Sequence, residues 1–256
     1  MDSQRVYTGK VIGKILLGFG TLVLFTGAFS FASIKYNESM EPPQLMVNFV
    51  DLNKVSRISK FRSCAGHTTV PKDGREMKRN MKHYIGLYPE YQKENFVEIY
   101  APYDGYIALI LNEEIWIAPE RKSLLSILPI NLWMFSVEHV KPREGMRIGN
   151  KVKAGEVIGY GTFLMSEPGY ATFDAVYGTM SIPPKKVDNY NSPFGDLDSI
   201  FNHMSEEVIA EYEQKGVTRE NIIVSKEERD NDPCVYRDGG PYFGDKVASN
   251  EWVELK

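Results

Sequence analysis

Cysteine is scarce in this chain. Cys64 and Cys234 are the two in 256 residues, and they stand far apart. Neither belongs to a CxxC pair, which excludes a thiolate metal knuckle and a redox dithiol. No Walker loop and no GxGxxG occurs, and Gly145 to Gly149 is only a charged turn. No GxSxG elbow is present, so a hydrolase of that kind has no support. There is no excess of basic residues. The net charge is −4, which argues against a nucleic-acid partner. Acidic residues do pair up at Glu113-Glu114 and Glu206-Glu207. Neighbouring side chains diverge on either a helix or a strand, so these are read as solvated and not as an acid–base pair.

What is present is ordinary globular material: 43% hydrophobic and 25% charged residues, enough for one core of good size or two small ones. Aromatics reach 12% and are read as covering half-buried strands. Ile15–Ala32 is uncharged over 18 residues, about 27 Å as a helix and close to the hydrocarbon thickness of a bilayer. Arg5, Lys10 and Lys14 precede it, which favours an inside N-terminus with residues 34–256 outside the cytoplasm. Two readings fit residues 1–33: a signal anchor, which we favour for the length of the run, or a signal peptide cut near Ala28 to Ser33. No lipobox cysteine follows. Residues 34–95 read as a linker, stiffened by Pro42-Pro43, and an N-terminal extension.

The chain is organised around Val97 to Tyr177, short strands of alternating character separated by glycines. Ala101-Pro102-Tyr103-Asp104-Gly105-Tyr106-Ile107 reads as a corner in which Asp-Gly supplies a turn of positive φ. Val152-Lys153-Ala154-Gly155-Glu156-Val157-Ile158-Gly159 reads as a second corner, with glycine where a side chain would clash. Ser123 to Leu132 is apolar around Pro129 and fits either a buried strand-loop or a short helix. Ile182 to Phe194 is rich in Pro and Asn and reads as a connection. Leu197 to Lys215 reads as the clearest helix, with Asp196 as N-cap and Gly216 past its end. Ile222 to Ser225 reads as a short strand, and Lys226 to Lys256 as a charged extended tail, ordered if Cys234 is bridged.

The two glycine corners resemble the barrel-sandwich hybrid of biotinyl and lipoyl carrier domains, and the LytM-type (lysostaphin-like) zinc endopeptidases that cut peptidoglycan cross-bridges. The resemblance covers residues 96–180 and implies a barrel-sandwich hybrid or LytM-like β domain; with the N-terminal membrane helix and one C-terminal helix packed on that domain, the expected fold is mostly β (α+β). Residues 181–256 are the C-terminal helix and extended tail. The carrier reading needs a lysine within Met-Lys-Met or Asp-Lys-Ala. Neither tripeptide stands at the turn, and Lys151 and Lys153 lack that setting.

The peptidase resemblance implies a zinc held by an early His with an Asp four residues later and a late His-x-His pair, leaving a position open for water. Where the family carries His-Leu-His-Phe-Glu, this chain has Tyr170-Ala171-Thr172-Phe173-Asp174, with Tyr170 and Thr172 in place of the imidazoles. His67 is followed at the early spacing by Pro71. The remaining weak metal candidates are His67, His83, His139 and Asp174, the histidines reading otherwise as local hydrogen-bonding groups. A degenerate scaffold is expected, with no catalytic residue and no cofactor, zinc entering only under the alternative.

The expected function is therefore a non-catalytic envelope protein, held in the membrane through Ile15–Ala32, whose LytM-like domain binds an envelope protein or peptidoglycan. One alternative is a zinc metallopeptidase with rearranged ligands. Another is a secretion or efflux adaptor, since hybrid barrels also occur there. Those adaptors carry a long heptad hairpin between the barrel halves, and residues 112 to 135 are too short and too apolar for one. If the domain lies outside the cytoplasm, a Cys64–Cys234 disulfide is one reading and two buried thiols the other.

Overall fold

The computed structural model describes residues 2–93, 96–121, 123–162, 164–167, 170–244 and 249–256. It opens with α1 (Asp2–Glu38), in which Lys14–Glu38 is long and apolar enough to cross a membrane, with mean hydropathy 2.0. Leu16, Leu17, Leu22 and Leu24 of this helix are exposed. Its far end is bonded to the body. Ser33 Oγ donates to the Leu125 carbonyl, and Asn37 Nδ2 donates to those of Leu128 (2.6 Å) and Ile130 (2.9 Å).

The remainder is mostly β. Among the described residues the strands are β1 (Val55–Ser59), β2 (His83–Leu87), β3 (Glu98–Tyr100), β4 (Gly105–Leu111), β5 (Glu114–Pro119), β6 (Trp133–Glu138), β7 (Val140–Pro142), β8 (Lys151–Val152), β9 (Val157–Gly161), β10 (Leu164–Glu167), β11 (Tyr170–Val187), β12 (Tyr190–Asp198) and β13 (Trp252–Glu254). Ten of them form one sheet in the order β13-β1-β2-β11-β6-β5-β4-β8, with β10 and β12 also on β11, and β3-β9-β7 form a small second sheet. The main sheet thus takes in strands on both sides of residues 96–180. Period-two alternation splits its side chains between two cores. Ile115, Ile117, Phe135, Val137, Phe173 and Ala175 pack with Phe49 on one face, while Trp116, Ala118, Met134 and Val176 pack with Phe194 on the other.

The two glycine corners are bonded to each other. Asp104 accepts from Ala154 N (2.9 Å) and Lys153 Nζ (2.6 Å), and Ala101 and Gly155 join through N–H···O (2.9 Å). Gly155 has φ +81°, which any other residue adopts only under strain. Gly105 differs from expectation. Its φ is not positive; glycine is needed because a Cβ would fall 2.2 Å from the Ala118 carbonyl oxygen of the neighbouring strand.

Three further expectations are corrected. Residues Ile182 to Phe194 are not a loose connection but the turn end of the β11–β12 hairpin. Its prolines are tolerated because the ladder slips between the Met180–Phe194 and Lys185–Ser192 pairs. No continuous helix spans Leu197 to Lys215. Leu197 closes β12, Asp196 N–H donates to Thr179 Oγ1 instead of opening a helix, and Ile200–Asn202 is a 3-10 turn. The helix α2 is Glu206–Gln214, opened by Ser205, whose hydroxyl accepts from Val208 N. The apolar spacing that suggested one helix is shared between two elements on one core. In place of a strand at Ile222 and an extended tail stand α3 (Arg219–Ile222), opened by a Thr218–Asn221 capping box, and α4 (Lys226–Asn231), opened by Ser225.

Cys64 and Cys234 are disulfide-bonded, with S–S 2.11 Å. Beside them the buried Arg229 grips Glu251 through both carboxylate oxygens (3.0 and 2.9 Å) and donates to the Arg62 carbonyl (2.7 Å), tying the tail to the early loop.

Candidate functional site

Four adjacent strands put a row of acids on one face. Asp174 of β11 stands directly opposite Glu138 of β6, which stands opposite Glu114 of β5, and Tyr84 of β2 lies across from Asp174 on the other side. In-register carboxylates repel, so such a row requires a counter-charge or a proton.

Lys82, the residue before β2, supplies the charge. Its side chain is 2% exposed, and its Nζ donates to Asp174 Oδ2 at 2.6 Å and to Glu138 Oε2 at 2.8 Å. The aromatic ring of Tyr84 lies 5.0 Å from the ammonium. Burial alone would lower the lysine pKa, but the two carboxylates raise it well above its ordinary value. Glu138 is held below its ordinary value: burial opposes ionisation, and the Lys82 ammonium overcomes it. Asp174, fully buried, is pushed by that burial up to about 7, against the pull of Lys82 and with the charge of Glu138 adding to the rise. Burial and the charge of Glu138 likewise push Glu114 up to about 7, while Trp116 Nε1 and Ser136 Oγ donate to it.

His139 follows Glu138 in the left-handed region, φ +60°, which turns its ring toward the cluster, with Nε2 3.8 Å from Asp174 Oδ2. Ligand atoms of Glu138, His139 and Asp174 all lie within 4.8 Å of one another. His67 belongs to the same neighbourhood. Its ring lies between those of Tyr190 (5.4 Å) and Tyr242 (5.7 Å), and burial lowers its pKa to about 4, with the Lys82 charge adding to the shift. Tyr190, near the turn of the β11–β12 hairpin, feels the charges of Lys82 and all three acids, so the hairpin end folds over this face.

Of the sequence candidates, His139 and Asp174 come together, His67 lies near enough to feel the charges of the cluster, and His83 does not join them. Strand alternation sends the His83 ring to the opposite face, between Phe61 (5.8 Å) and Phe201 (5.1 Å). Its Nδ1–H donates to the Ser59 carbonyl (2.8 Å) and its Nε2 accepts from Ser199 Oγ (2.9 Å), which fixes a neutral tautomer. Thr172 is fully buried two residues before Asp174, and the side chain of Tyr170 lies outside the described residues. Lys82, Glu138 and Glu114 were missed. Glu114 is no solvated partner of Glu113: the pair splits, Glu113 accepting from Thr162 Oγ1 at the surface while Glu114 turns into the row.

Zinc does not fit this set as it stands. Of the three groups close enough to share a metal, the two carboxylates already share the Lys82 ammonium, which donates to one oxygen of each. A divalent ion beside it would face a buried positive charge.

Burial lowers the His83 pKa to about 4. A base depressed from 6.5 contributes stability that is present above 6.5 and lost as pH falls toward 4. Asp174 and Glu114, raised to about 7, act in the opposite sense, their contribution being lost as pH rises from about 4 to 7. A difference measurement separates them. The stability gap between wild type and His83→Gln, read by urea denaturation, is expected to narrow by about 2–3 kcal/mol between pH 7 and pH 4.5. A constant gap contradicts a neutral buried His83.

No protein-family model and no curated protein sequence matches the chain. Among solved structures, Csd3 from Helicobacter pylori in a hexagonal crystal aligns over 54% of this chain and 30% of its own length, at 14% identity and TM-score 0.32. The orthorhombic form aligns over 59% and 37%, at 15% and 0.32. The M23 metalloprotease pseudoalterin, from the deep sea, aligns over 57% of this chain and 80% of its own, at 11% and 0.31. The matched region therefore spans about a third of the length of Csd3.

Proposed function

We propose that this chain is a membrane-anchored, non-catalytic envelope protein whose β domain is a degenerate LytM-like scaffold that binds peptidoglycan or an envelope protein. One observation carries the reading: the Lys82 ammonium sits among Glu138, Asp174 and His139, where a hydrolytic metal centre would need its ion. A metal hydrolase polarises water with an open cation; an ammonium bonded to two carboxylates in a buried site has no coordination position for water and no Lewis acidity.

The linked glycine corners support the scaffold part of the reading, because they hold the hybrid-type strands in place whatever the site contains. The anchor is supported by Ser33 and Asn37, which are buried against residues 125–130 and would be separated from α1 by cleavage near Ala28 to Ser33. The rival zinc peptidase keeps one point in its favour, the close Glu138–His139–Asp174 set, but it requires Lys82 to leave.

The test uses the full chain in detergent, purified peptidoglycan sacculi and added zinc. The expected result is cosedimentation with the sacculi and no release of amino groups above the level of sacculi alone. Chelator-sensitive amine release would establish the peptidase instead.

A further inference from the structure

A short apolar turn stands beside the point where α1 meets the body. Residues Leu124–Ile127 form a 3-10 turn opened by Ser123, whose hydroxyl accepts from Leu125 N. In a 3-10 helix the side chains at i and i+3 eclipse one another, so Leu124 and Ile127 share one face. Leu124 is 81% exposed and Ile127 45%, and no part of the described body covers them.

The hydrogen bonds to α1 give this turn a height. Ser33 directly follows the apolar run Ile15–Ala32, and its hydroxyl holds the carbonyl of Leu125. Asn37, one helical turn or about 6 Å further along, holds those of Leu128 and Ile130. The segment therefore climbs away from the apolar run as it proceeds, and Leu124–Ile127 is its lowest part. It lies level with the end of the hydrocarbon-length stretch. The exposed Arg121 stands two residues before Ser123, a cation suited to lipid phosphates at that depth.

We infer that the Leu124–Ile127 turn inserts into the lipid bilayer beside α1, so that the domain rests on the membrane surface at a second point and does not swing on its anchor. The occupant is lipid because the Ser33 bond sets this exposed apolar face level with the end of the apolar run of α1. Two leucine-sized side chains bind a bilayer weakly alone; tethered by α1 they need no more. This rests on reading α1 as a membrane span.

The test is environmental labelling of the full chain in vesicles of phosphatidylethanolamine and phosphatidylglycerol. The native cysteines are joined to each other, so single substitutions Leu124→Cys, Ile127→Cys, Leu22→Cys and Glu144→Cys each accept one NBD fluorophore. These four positions are exposed, so labelling leaves the core intact. The expected result is blue-shifted emission at 124 and 127 that is quenched by nitroxide on the acyl chains and not by iodide, as at 22, with 144 behaving as an aqueous site. Iodide quenching at 124 and 127, with 22 still quenched from the acyl chains, overturns the inference alone. Blue-shifted emission at 124 and 127 without acyl-chain quenching also overturns it, by showing a protein cover. Iodide access at 22 overturns the span reading and this inference together.

Discussion

Replacing Lys82 by methionine is expected to destabilise the protein by about 3–5 kcal/mol, the usual consequence of removing one partner from a buried ion pair. In a chain of this size that is roughly 10 °C in melting temperature. Methionine keeps most of the aliphatic stem, so little packing is lost and the effect is electrostatic. What remains is Glu138 facing Asp174 across paired strands, with Glu114 beyond and no cation between them. Two consequences separate this from a packing defect. The loss is expected to shrink as pH falls through the lowered range of Glu138, where the ammonium of the wild type loses its ionised partner. The triple variant Lys82→Met, Glu138→Gln, Asp174→Asn is expected to recover more than half of it, because each removed charge no longer needs compensation. Urea denaturation at pH 7 and pH 4 reads all three quantities. A Lys82→Met protein within about 1 kcal/mol of wild type at pH 7 would mean that the ammonium does not hold the row together.

The scaffold was legible in the sequence because its signals are local. The corners around Gly105 and Gly155 and the alternation of β4, β5 and β6 are written in consecutive residues. The reason for Gly105 was not legible, since it depends on the Ala118 carbonyl of a neighbouring strand. The C-terminal half was misread where periodicity outran capping. Leu197, Ile200, Phe201, Met204, Val208 and Ile209 keep helical spacing, but Ser199 and Ser205 divide them, and those hydroxyls were the available signal. The hairpin of β11 and β12 was hidden by its prolines, which a ladder slip accommodates.

The site was half legible. Chemistry-bearing residue types pointed to His139 and Asp174, which lie close together, and to His67, which stands near them. Lys82 carried no such mark, because a lysine ahead of a strand ordinarily sits in water; only the register of β2 against β11 buries it. Glu138 and Glu114, 24 positions apart in sequence, become neighbours through strand pairing, which no local pattern records. His83 was singled out as a histidine, and alternation carried it to the other face.

The central claim is that a fixed ammonium takes the place of an ion, and zinc titration of wild type and Lys82→Ala tests it most directly. Removing the ammonium frees Glu138, His139 and Asp174, whose ligand atoms are already within 4.8 Å of one another. The account predicts that the alanine variant gains a zinc site. A metal held only by the folded state raises stability by about 2.7 kcal/mol at a hundredfold excess over Kd, so added zinc is expected to recover much of what the substitution loses. Titration calorimetry, with thermal melting as its companion, is the measurement. The predicted result is no zinc binding at this cluster in wild type and one zinc per chain in Lys82→Ala. One equivalent of zinc bound by the wild-type chain and lost in Asp174→Asn would contradict it.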